Sequence, residues 1–275
     1  MHIECGRQSF KSKPPVPTYA DGRQSRNGFV TRRHETLTFI LLFILALPII
    51  EIAVFVIVGS KIGVLWTIAL VILASYAGQS LILGMDGAVE AFAFAPAVLD
   101  RGRLWPLVTA LFIHGGWTHA GMNAVGALAF GAPAARYLGL GPRGAIGFFL
   151  LYIVCGALSC LGYAVAHLHD MSPLVGASGA VSGLLGASTR LIERRDRLSP
   201  LANRTVVAST FAWIVINAVM GALHYAPGIG TVNIAWEAHI AGYFAGLLLV
   251  QPFAAVFREA PPPVEDDDPS IERLD

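Results

Sequence analysis

Charge is scarce in this chain. Only 13% of its 275 residues are Asp, Glu, Lys or Arg, against 55% hydrophobic. Soluble domains carry about a quarter charged residues, so the chain lacks the polar surface needed to face water. A mean hydropathy of +0.63 agrees, and lipid is the natural solvent. The formal net charge of +1 leaves no basic footprint for nucleic acid. Cysteine is scarce too. Cys5, Cys155 and Cys160 form no C-x-x-C pair, and the last two, inside an apolar run, read as small packing residues in preference to a disulfide or metal site. No H-E-x-x-H stretch is present, so no metal is expected, and no other cofactor. No signal peptide is evident, because the first apolar run begins only at Leu37 and is too long for one. Internal duplication is not apparent, which disfavours an inverted-repeat transporter.

What the chain does have is a series of apolar runs. Residues 1–36 are polar and basic, with Pro14, Pro15 and Pro17, and read as a disordered tail. An extra hydrophobic segment at 37–61 is interrupted by Pro48 and Glu51. A six-helix core is expected over 62–257. Its runs are Ile62–Leu83, Trp117–Leu138, Ala145–Ala166, Ser178–Ile192, Thr205–Leu223 and Trp236–Gln251. Most have the ~17–25 residues that a spanning helix needs. The stretch from Met85 to Arg103, with Asp86, Glu90, Pro96, Asp100 and Arg101, reads as a long loop. Residues 258–275 form an acidic tail. The expected fold class is therefore all-α, a polytopic membrane bundle.

Basic residues orient such a bundle. Arg194, Arg195, Arg197 and Arg204 place the loop after Ser178–Ile192 in the cytoplasm. The loops 167–173 and 225–235 hold no Lys or Arg and face outward. If the Leu37–Val58 run also spans, the basic tail lies outside against the rule; otherwise that run is re-entrant or interfacial.

Polar groups inside spanning segments are functional hypotheses by default. Three clusters occur. In the first, His114 precedes a run in which His119 and Asn123 are four apart, on one helical face. Two donors pointing the same way can hold a developing oxyanion, although His and Asn also glue membrane helices together. The second is Gly176-Ala-Ser178-Gly179, opening a short segment. A helix from Ser178 to Arg190 rises only about 18 Å. The hydrocarbon is about 30 Å thick, so Ser178 lies below the outer surface at a helix N-terminus. The third is Ala238-His239 with Gly242 and Gly246. His239 also lies about 18 Å of helix from the cytoplasmic end, level with Ser178. A hydroxyl beside an imidazole is a nucleophile–base pair; a histidine bonded to a carbonyl is the plainer alternative. Gly179 and Gly183 offer a surface to match Gly242 and Gly246.

These motifs, in this order and on the second, fourth and sixth core helices, resemble the rhomboid family of intramembrane serine proteases. The resemblance covers residues 62–257. It implies Ser178 as nucleophile and His239 as general base, a dyad without an Asp. His119 and Asn123 would join the Ser178 N–H in the oxyanion hole, with Gly176 and His114 in support. The implied reaction is peptide-bond hydrolysis in or beside a transmembrane segment of a client protein, with lipid as the surrounding medium. Two departures stand out. The Trp-Arg that the family often has in the first loop is Trp105-Pro106 here, and the aromatic that some members carry one turn after the serine is Ser182. The His239 ring must then be oriented some other way. Residues 37–84 resemble small bacterial membrane proteins of the phage-exclusion suppressor type. A bacterial inner membrane is the expected location. Competing readings are a non-proteolytic rhomboid-like client binder and a channel with a polar path through His119, Ser178 and His239.

Overall fold

The computed structural model describes residues 63–226, 230–231 and 234–259. The tail at 1–36, the 37–61 segment and the acidic tail from residue 260 on lie outside the described residues.

Helix α1 (Val64–Gly78) passes through a wider π turn at Gln79–Leu83 into α2 (Gly84–Phe92). The expectation of a loop from Met85 is corrected here. Asp86 and Glu90 are exposed, whereas Ala88 and Phe92 are buried. Charges four apart on one face and apolar groups four apart on another make an amphipathic helix, not a loop. Asp86 in the first turn also complements the helix dipole.

The chain then runs through a 3₁₀ segment, Pro96–Arg101, and a single turn, Pro106–Thr109. Next come α3 (Trp117–Leu138), α4 (Pro142–Ala166), α5 (Ser178–Thr189), α6 (Arg204–Leu223) and α7 (Trp236–Phe257). Local chemistry explains several ends. Pro142 opens α4, where its missing N–H costs nothing. The Asn203 side chain caps α6, accepting from Thr205 N at 2.8 Å. Helix α7 runs past Gln251 because Pro252 is accommodated near its end. A two-residue antiparallel ribbon, Tyr225–Ala226 with Gly230–Thr231, precedes α7.

Among the described residues, four helical stretches are long and apolar enough to cross a membrane: Val64–Phe92, Pro142–Ala166, Arg204–Leu223 and Trp236–Phe257. The chain is a multi-pass helical membrane protein. Helix α5 is too short to cross, yet from Gly179 to Arg190 only Leu185 is not buried. A helix buried on every side sits at the centre of its bundle. Glycines let its neighbours approach. A methyl on Gly242 would overlap the Gly179 carbonyl, one on Gly246 the Gly183 carbonyl, and one on Gly186 the Tyr243 carbonyl. Helices α5 and α7 thus touch backbone to backbone, as small residues permit. At their far ends Arg190 donates to Ser199 O (3.0 Å) and Gln251 Oε1 (3.2 Å), joining α5 to α7.

Candidate active site

The first residue of α5 is Ser178 and the fourth of α7 is His239. The close approach of these helices sets Ser178 Oγ 2.8 Å from His239 Nε2. Ser159 of α4 secures the junction by donating to Ala238 O at 2.8 Å. It lies against Gly179, where a methyl would displace it.

The other ring nitrogen, His239 Nδ1, lies 3.0 Å from Asn217 Oδ1 on α6. Asn217 Nδ2 donates to Trp213 O at 2.9 Å. Ser182, one turn after the serine, donates back to Ser178 O at 2.8 Å. Asn217 is thus the group that meets the imidazole edge away from the serine. The motif reading missed it. It is the one amide in the run Thr205–Leu223, and that was the available signal.

His119 and Asn123 stand on α3. Gly115 N donates to His119 Nδ1 at 3.2 Å, which leaves the proton of a neutral ring on Nε2. Asn123 Nδ2 donates to His119 O at 2.9 Å, leaving its second N–H free of that bond. Both side chains face Gly176. A Cβ there would lie 2.7 Å from His119 Nε2 and 3.8 Å from Asn123 Nδ2. With φ at +111°, the position favours glycine on backbone grounds as well. The structure therefore brings His119, Asn123 and Gly176 together, two residues before Ser178.

His114 is fully buried. Its ring meets that of His119 edge-on, centroids 5.2 Å apart, and its Nε2 accepts from Ala177 N at 3.4 Å. Its backbone is held by Gln79, another residue that the motifs did not single out. The loop above is tied down separately. Phe94 and Leu174 exchange two backbone hydrogen bonds, and Ala97 N donates to Asp170 O at 3.0 Å. The backbone N–H of Ser172, and then its hydroxyl, hold the Asp170 carboxyl below the usual carboxylate range. Gly176 N donates to Ala110 O at 2.9 Å. A narrow cleft beside Ser178 is lined by Leu174, Val175, Gly176, Gly179 and Ala238 among others. In the first loop the Arg103 guanidinium stacks over the Trp105 ring at 4.5 Å.

The chain resembles known proteins in two stretches. An FxsA cytoplasmic membrane protein model matches residues 41–103. The putative rhomboid protease YdcA of Bacillus subtilis is 28% identical over 149 residues, covering 54% of this chain and 67% of that protein. Rhomboid protease GluP of the same organism is 27% identical over 165 residues, 58% of this chain and 29% of its own length. RHOMBOID-like protein 4 of Arabidopsis thaliana is 34% identical over 151 residues, 54% of this chain and 34% of its own. The chain thus spans under half the length of several curated relatives it matches. A Rhomboid domain model matches residues 101–255, more than half of the sequence, from before α3 to within the last turn of α7, and on that match the chain belongs to the rhomboid family.

Proposed function

We propose that this protein is an intramembrane serine endopeptidase that cuts transmembrane or membrane-adjacent segments of client proteins. The observation that carries the reading is the 2.8 Å contact between Ser178 Oγ and His239 Nε2. It occurs at the N-terminus of a central helix too short to span, beside donors that face one point.

In this reading Ser178 Oγ attacks the scissile carbonyl carbon and its proton passes to His239 Nε2. The carbonyl oxygen becomes an oxyanion. His119 Nε2–H, the second N–H of Asn123 and the Ser178 backbone N–H stabilise it. Helix N-termini offer free N–H groups for this purpose. Collapse breaks the C–N bond, and the imidazolium protonates the leaving amine. Water, deprotonated by His239, then releases the acyl group from Ser178. The narrow cleft beside Ser178 suits small side chains near the cut, and a client helix must unwind to reach it. The match to a cytoplasmic membrane protein family supports a bacterial inner membrane as the location.

The test is cleavage of a fluorogenic transmembrane peptide by the purified protein and by Ser178→Ala, in detergent and in liposomes. Cleavage by the first alone supports the protease. No cleavage by either, across several peptides, favours a client-binding role.

A further inference from the structure

From the hydrogen-bond inventory around His239 we infer that Asn217 is a positioning residue, holding the imidazole as the tautomer that can take a proton from Ser178. The inference rests on the protease reading above for its catalytic consequence, but not for its geometry.

Helix α6 exposes most of its length. Val207, Phe211, Val215, Ile216, Val219 and Leu223 are all exposed, and only Val206, Asn217 and Gly221 are buried. An amide on such a helix has few partners, so each of its bonds is informative. The atom 2.9 Å from Trp213 O must be the NH₂ group, because a backbone carbonyl only accepts. That fixes the amide: its oxygen is the atom 3.0 Å from His239 Nδ1. A carbonyl oxygen also only accepts, so Nδ1 carries the ring proton. In neutral imidazole the other nitrogen is then a lone-pair acceptor. That nitrogen is Nε2, 2.8 Å from Ser178 Oγ. One backbone carbonyl on α6 thereby determines, through two further bonds, the direction of the proton at the serine. Gly221, one turn on, supports the approach, since a methyl there would overlap the Trp236 ring at the start of α7.

The amide carries no charge. It orders the ring and selects its tautomer without adding the electrostatic stabilisation that a carboxylate would give an imidazolium. Its effect is therefore smaller than that of a charged orienting group, whose loss lowers kcat by about 10⁴.

The experiment uses the full chain in liposomes. Asn217→Leu keeps the shape and removes both amide bonds. Asn217→Asp keeps an oxygen acceptor for Nδ1. Asn217→Leu is expected to lower kcat by about 10- to 100-fold, within what general-base catalysis contributes, with KM little changed. Asn217→Asp is expected to recover the greater part of kcat. Independently, ¹⁵N spectra of histidine-labelled protein, with His239 assigned by His239→Ala, should show the proton on Nδ1 in the wild type and a shift away from that tautomer in Asn217→Leu. Wild-type kcat in Asn217→Leu, or an unchanged ¹⁵N pattern, overturns the inference. If the wild type cleaves nothing, the protease reading fails. The spectra then decide the placement of the ring proton on their own.

Discussion

Gln79 grips the backbone of His114 from both sides. Its Nε2 donates to His114 O at 2.9 Å, and its Oε1 accepts from His114 N at 3.0 Å. Gln79 lies at the start of the π turn, in the stretch that matches the FxsA model, and His114 lies in the rhomboid match. The two matched stretches are therefore joined at the site, and residues 63–92 are part of the helical assembly around it.

Removing that grip strands two buried backbone groups. Each unsatisfied group costs about 1–3 kcal/mol. Gln79→Ala is expected to lower the melting temperature in detergent. It should also slow cleavage, because the loop bearing His114 leads directly into the turn that bears His119. Gln79→Glu keeps the acceptor but not the donor and should fall between. A wild-type melting temperature and rate in Gln79→Ala would show the grip to be idle.

Ser178→Ala and His239→Ala should each abolish proteolysis while leaving the melting temperature near that of the wild type. A fluorophosphonate probe should label the wild type and not Ser178→Ala. Residual cleavage by Ser178→Ala at a wild-type rate would remove the nucleophile from the scheme.

His119→Ala and Asn123→Ala should each lower kcat by about 10²–10³, the usual size for one oxyanion donor. KM should change less than kcat, because the bonds strengthen only as charge develops. A change confined to KM would point instead to substrate binding.

Gly242→Ala and Gly246→Ala push a methyl into a backbone carbonyl of α5. Overpacking of this kind costs about 1–3 kcal/mol, and it parts the two helices that carry Ser178 and His239. Loss of activity should therefore exceed what the loss of stability explains. Gly121→Ala on α3, where a methyl meets nothing within 4 Å, is the matched control and should be neutral or slightly stabilising.

The apolar runs and the order of the polar motifs were legible in the sequence. The start of α3 at Trp117 and of α5 at Ser178 could be read because each apolar run opens on a glycine-rich turn. Helix α2 was hidden by its charges, which suggested a loop, although Asp86 and Glu90 four apart, and Ala88 and Phe92 four apart, were the helical signal. Asn217 escaped for a different reason. It carries no charge and belongs to none of the motifs, so its one signal was that it is the sole amide in an apolar run. Yet the ruler applied to Ser178 and His239 also reaches it. From Arg204, where α6 begins, to Asn217 is about 20 Å of helix, close to the span that separates each of the other two from the same end of the bundle.

The main-chain contact between α5 and α7 has a mechanical consequence. Bilayers of different thickness tilt spanning helices to relieve mismatch. Two helices locked carbonyl against glycine at Gly179–Gly242 and Gly183–Gly246 lean together as one strut, so their relative register survives the tilt. A change of lipid thickness then tilts the pair together and does not alter how far the serine stands from its histidine.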